Sequence, residues 1–129
     1  MSLQTNISYG EFLDKLTILD IKSERIKDKE KLANINRELE VLKDIWEKHG
    51  KPDVDISEEY EALKKINERL WEIEDDIRDK ERSKEFDQDF IELARSVYFT
   101  NDERANIKKV INKKLGSELV EEKSYSDYE

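Results

Sequence analysis

The sequence predicts an all-α protein, an antiparallel bundle of about five helices. Three observations predict it. The chain of 129 residues holds only 3 glycines and 1 proline, so there is little to break a helix. Glu, Lys, Leu and Ile are abundant, and charged residues reach 44%. The apolar residues recur at steps of three and four, not in the alternation of strands.

The first helix is expected from about Tyr9 to Lys27. Ser8 is its N-cap, and Glu11 three residues on completes a capping box. Phe12, Leu16, Leu19 and Ile26 form one stripe, widened by Leu13, Ile18 and Ile21. An arc this broad touches more than one neighbour, so the first helix is expected at the centre. The second helix, about Glu30 to Lys48, carries a heptad-like seam of Leu32, Ile35, Leu39, Leu42 and Trp46. The short link at Lys27-Asp28-Lys29 makes these two helices antiparallel neighbours. Gly50 and Pro52 end the second.

Ser57 is expected to cap the third helix, with Glu58 and Glu59 in its first turn, favoured by the helix dipole. Leu63, Ile66, Leu70, Ile73 and Ile77 repeat the three-four spacing as far as about Arg82. Asp87 caps a fourth helix, with Phe86 placed to staple onto Ile91, and Phe90, Ile91, Ala94, Val97 and Tyr98 inward. Thr100 and Glu103 form a further capping box. It predicts a break near Phe99 and a fifth helix ending at Gly116, so that the last two helices close the bundle as a hairpin. The chain reads as a single domain with an acidic tail, Ser117 to Glu129, which holds five acids against Lys123.

Composition narrows function. The formal net charge of -9 argues against a general nucleic-acid binder. No cysteine is present, and the single histidine, His49, cannot build a histidine cluster. The first residues show no signal pattern, and no apolar run is long enough to span a membrane. A cytoplasmic chain is expected, with no membrane partner. The apolar fraction of 36% is low for a self-sufficient core. It predicts a homo-oligomer, most simply a homodimer through the second- or third-helix seam.

The stretch ARSVYFTNDERANIKKVIN, Ala94 to Asn112, is the densest in polar chemistry. Much of it is explained by acids early and bases late on a helix. Three residues are not: Arg95 beside Ala94, Arg104 one turn before Lys108, and Asn112 beside Ile111. Lining one groove of the expected hairpin, they would offer a small anionic metabolite planar guanidinium forks. Each arginine also suits a structural tie to an acid.

A second constellation is LWEIEDDIRD, Leu70 to Asp79. Glu72 and Asp75 lie one turn apart on one face, as paired carboxylates for Mg²⁺ would. Helical nucleotide pyrophosphohydrolases use such pairs, and Glu11 and Asp14 on the first helix would complete the set, with Arg78 or Arg104 on phosphate. With 33 acids in the chain, the same spacing also arises on any solvated face. Glu74 and Arg78 border the apolar stripe and are expected to form a half-buried pair. Gly10 would allow a close approach to the backbone. Tyr125 and Tyr128 are expected to dock the tail on the body or on a partner chain.

The segments ISYGEFLDKLTILDIKSERI, LWEIEDDIRD, LARSVYFTNDERANIKKVIN and LGSELVEEKSY resemble, in order and spacing, an uncharacterised family of small bacterial helical proteins. The resemblance covers nearly the whole chain. It places the candidate ligand-binding residues, Arg78, Arg95, Tyr98, Asn101, Arg104 and Asn112, in family-like segments and implies no role for them. Members of the family occur near genes for cell-surface polysaccharide or glycosyl transfer. Three readings stand open, one of them a purely structural bundle, which predicts Arg95 and Arg104 each paired to an acid with no cavity nearby. The first is a non-catalytic binding or assembly module without a cofactor, taking a protein partner or a small anionic metabolite. The alternative is a Mg²⁺-dependent nucleotide or nucleotide-sugar hydrolase using Glu72 and Asp75.

Overall fold

A computed structural model describes residues 2–50 and 53–128. Pro52, named at the end of the second helix, and Glu129, the last residue of the tail, lie outside the described residues. These form four helices and no strand: α1 Tyr9–Arg25, α2 Lys29–His49, α3 Ser57–Ser83 and α4 Gln88–Leu115.

Each end has a local cause. The Ser8 hydroxyl accepts from the Glu11 N–H at 3.1 Å and starts α1. Asp28, in the short link, accepts from the N–H groups of Glu30 and Lys31 and starts α2. Ser57 opens α3 and does not cap it; its own N–H and hydroxyl donate to Asp55 at 3.0 and 2.7 Å. Lys84 turns the chain in the left-handed region, with φ of 56°. Asp87 then caps α4 by accepting from the Phe90 N–H at 3.0 Å. Phe86 meets Phe90 edge-on, at 5.2 Å between ring centres, instead of stapling onto Ile91, which stays exposed.

The central position read from the breadth of its arc is found: α1 packs on all three other helices, and α2 packs on α1 alone. Leu13, Leu16 and Leu19 of α1 meet Ile35 and Leu39 of α2, Leu63 of α3, and Ile111 and Leu115 of α4. The middle of the α2 seam is thus consumed inside the chain. The hairpin of α3 and α4 projects past this core as a two-helix arm, with Phe86 55% and Ile91 47% exposed near its turn.

The expected break at Phe99-Thr100 does not exist. α4 is one helix of 28 residues, and the predicted fifth helix is its second half. The predicted hairpin of helices 4 and 5, and the groove inside it, are therefore absent. The reason is tertiary. No glycine or proline interrupts Gln88–Leu115, and Thr100, the supposed cap, is only 3% exposed. Glu103, the supposed box partner, reaches across to Arg69 of α3 at 3.3 Å. Continuous packing on α3 outweighs a local capping pattern worth about 1 kcal/mol. The amides of Asn101 to Arg104 should therefore exchange as slowly as those a turn earlier. Fast hydrogen exchange at these four, the signature of a helix start, would refute the continuous helix.

Candidate functional site: a charge cluster between α1 and α4

α4 presents Arg104, Lys108 and Asn112 at steps of four, so the three share one face. That face meets the start of α1. The two helices approach closely because Gly10 has no side chain. A Cβ there would stand 2.6 Å from the Lys108 carbonyl oxygen and 3.0 Å from Asn112 Oδ1. In its place the Gly10 N–H donates to Asn112 Oδ1 at 2.7 Å. Asn112 thereby satisfies one of the donors that a helix start leaves over.

One turn further, Asp14 lies in the seam at 1% exposure. Its Oδ1 accepts from Asn67 Nδ2 of α3 at 2.8 Å and from Arg104 Nε at 3.0 Å. Its Oδ2 accepts a short bond from Arg104 Nη2, which completes a two-pronged guanidinium–carboxylate pair. Asn67 also donates to Thr17 Oγ1 at 2.8 Å, and that hydroxyl donates to the Asp14 carbonyl at 2.7 Å. A buried carboxylate is tolerable only when paired and hydrogen-bonded, and Asp14 is both.

Lys108 is the second buried cation, with 7% exposure. Its Nζ donates to Glu11 Oε2 at 2.7 Å and Glu121 Oε2 at 2.8 Å, and lies 3.8 Å from Asp14 Oδ2. Burial pulls the ammonium pKa down, but the bonds to Glu11 and Glu121 and the charge of Asp14 outweigh it, and the net shift is upward. The bond from Lys108 in turn holds the Glu121 carboxyl below its ordinary value. Two cations thus face three carboxylates, one of which comes from the tail.

The tail reaches this place by a defined path. Gly116 takes φ of 67°, which a side chain would resist, and the Ser117 N–H donates to the Asn112 carbonyl at 2.8 Å. Ser117 Oγ accepts from the Tyr9 N–H at 3.4 Å. The chain then runs back beside α4. Glu121 meets Lys108, and the Tyr128 ring packs on Tyr98 and Phe99 at 5.3 and 5.0 Å. The Tyr128 hydroxyl donates a short bond to Asp102. Of the two tail tyrosines expected to dock, Tyr128 does and Tyr125 stays 80% exposed.

The structure brings together only part of the candidate set. Arg104 and Asn112 belong to the cluster. Asn101 is half-buried and Tyr98 lies under Tyr128, both higher on α4. Arg95 is exposed on the arm, bonded to Glu92 at 3.1 Å and lying over the Phe99 ring. The Glu74–Arg78 pair, at 3.2 Å, is more than half exposed at both ends, so the expected half-burial is corrected. Glu72 and Asp75 are exposed on α3, and Glu72 pairs with Arg25. Glu11 and Asp14 face cations of α4. Among the described residues, no group of three or more metal-ligating side chains is assembled. A cavity of about 570 Å³ near the arm's turn is walled by Asp79, Glu85, Asp89 and Glu92 around Lys80, away from the cluster.

Sequence reasoning missed Lys108, Asn67, Thr17 and Glu121. The register of four that joins Arg104, Lys108 and Asn112 could have found Lys108. No helix among the described residues is long and apolar enough to cross a membrane. Comparison with curated proteins and with solved structures returns no match. Over residues 3–128 the sequence matches DUF6165, a family of unknown function, and the chain belongs to that family.

Proposed function

We propose that the protein is a non-catalytic binding module that takes an oxyanion, a carboxylate or phosphate group, at the α1–α4 charge cluster. One observation carries the reading. Lys108 is buried on its flanks, yet its ammonium takes one of its carboxylates, Glu121, from a tail outside the helical bundle. Arg104 stands one turn away, with two of its five N–H groups engaged by Asp14 and part of its side chain open to solvent. A ligand oxyanion there would meet a preset ammonium and a guanidinium edge. This is recognition chemistry: Lys108 and Arg104 act through charge and N–H donation.

The test is an NMR titration with inorganic phosphate, acetate and a nucleotide sugar, each with and without Mg²⁺. Saturable shifts at Tyr9, Glu11, Lys108 and Glu121 in the millimolar range are expected, with no need for metal. Linear shifts scattered over the surface would sink the reading. Shifts that need Mg²⁺ and centre on Glu72 and Asp75 would transfer support to the hydrolase alternative.

A further inference from the structure

We infer that the C-terminal tail is a built-in competitor for this site: the Glu121 carboxylate holds the place of the ligand's oxyanion, and binding lifts the tail from Lys108. The inference rests on the binding reading above and adds to it how the site is occupied and controlled.

Three observations support it. First, the Glu121–Lys108 contact joins unequal partners. The Lys108 side chain is 8% exposed and fixed by Glu11, whereas that of Glu121 is 43% exposed and stands on a segment without helix or strand. The cation is therefore preorganised and the tail carboxylate is the replaceable member.

Second, the exchange balances in charge. With Glu121 in place the cluster holds two cations and three carboxylates; without it, two of each. An incoming monoanion restores the original charge, so one oxyanion replaces another with no new buried charge. The vacated position would lie against the Lys108 ammonium, which the Glu121 carboxylate now meets at 2.8 Å.

Third, the tail has the build of a strap. Ser117 ties its near end to the start of α1, and Tyr128 seats its far end on Tyr98 and Phe99. Leu119, Val120, Glu122 and Lys123 between these points are exposed and contribute no side chain to the core. Lifting the strap therefore leaves the core contacts in place.

Two full-length variants test this, with inorganic phosphate and acetate titrated separately to show which oxyanion is preferred. Glu121→Gln removes the competing charge and should tighten binding about tenfold, the scale of one charge-assisted hydrogen bond. Tyr128→Ala loosens the far end and leaves every group at Lys108 unchanged; it should tighten binding about two- to threefold. In the wild type, saturating ligand should also raise the backbone mobility of residues 119–128 in NMR relaxation. Unchanged dissociation constants in both variants, beside a wild type that binds, would overturn the strap and leave the binding reading intact. The strap also falls if wild type binds at Lys108 while Tyr128 stays against Phe99 and tail mobility is constant. If neither wild type nor Glu121→Gln binds either probe, both the strap and the binding reading are wrong.

Discussion

Asp14→Ala should destabilise the chain by about 3–5 kcal/mol in urea unfolding, the cost of removing one member of a buried ion pair. The loss has two parts. Arg104 and Lys108 keep their charges beside a seam that no longer neutralises them. Asn67 loses an acceptor, leaving a buried amide N–H partly unsatisfied. The cost comes mainly from stranding the partners, so the pair itself is not a strong net source of stability. The double variant Asp14→Leu, Arg104→Met, which replaces both charges with apolar groups of similar bulk, should recover more than half of the loss. An Asp14→Ala protein within about 1 kcal/mol of wild type would mean that the seam is wet and the pair behaves as a surface contact.

Gly10→Ala should lower stability by about 2–3 kcal/mol, or Tm by about 8–12 °C for a chain of this size. The added methyl would meet a backbone carbonyl oxygen of α4 at 2.6 Å, and a backbone atom cannot rotate away. α1 must then shift outward and strain the bond from the Gly10 N–H to Asn112. Alanine's better helix propensity, up to about 1 kcal/mol in a helix interior, works in the opposite direction and is smaller. An unchanged Tm would show that the start of α1 does not seat on α4, and the charge cluster would lose its near wall.

These two positions show what was legible in the sequence and what was not. The helical class and three of the four helices follow from spacing and caps, because Ser8, Asp87 and the Leu–Ile stripes act locally. The break at Thr100 was misread because a capping box is a local pattern, whereas Thr100 faces the interior of a hairpin whose partner strengthens the helix through it. Arg104 and Asn112 stood out as polar groups beside apolar ones. Lys108 did not, since a lysine late in a helix is well explained by the dipole. Asn67 and Thr17 sit among apolar residues whose periodicity conceals them. Glu121 had no signal, because the path of a tail without periodicity is set by what it docks against.

The unbroken α4 has a mechanical consequence. At 1.5 Å per residue its 28 residues make a rod about 42 Å long, and the arm's turn lies about 24 Å along it from Arg104. Two shorter helices joined at residue 100 would have let the arm swing without disturbing the bundle. A single rod has no such joint. A load on the exposed Phe86 end would therefore be carried along the rod to the seam where Arg104 and Lys108 meet α1.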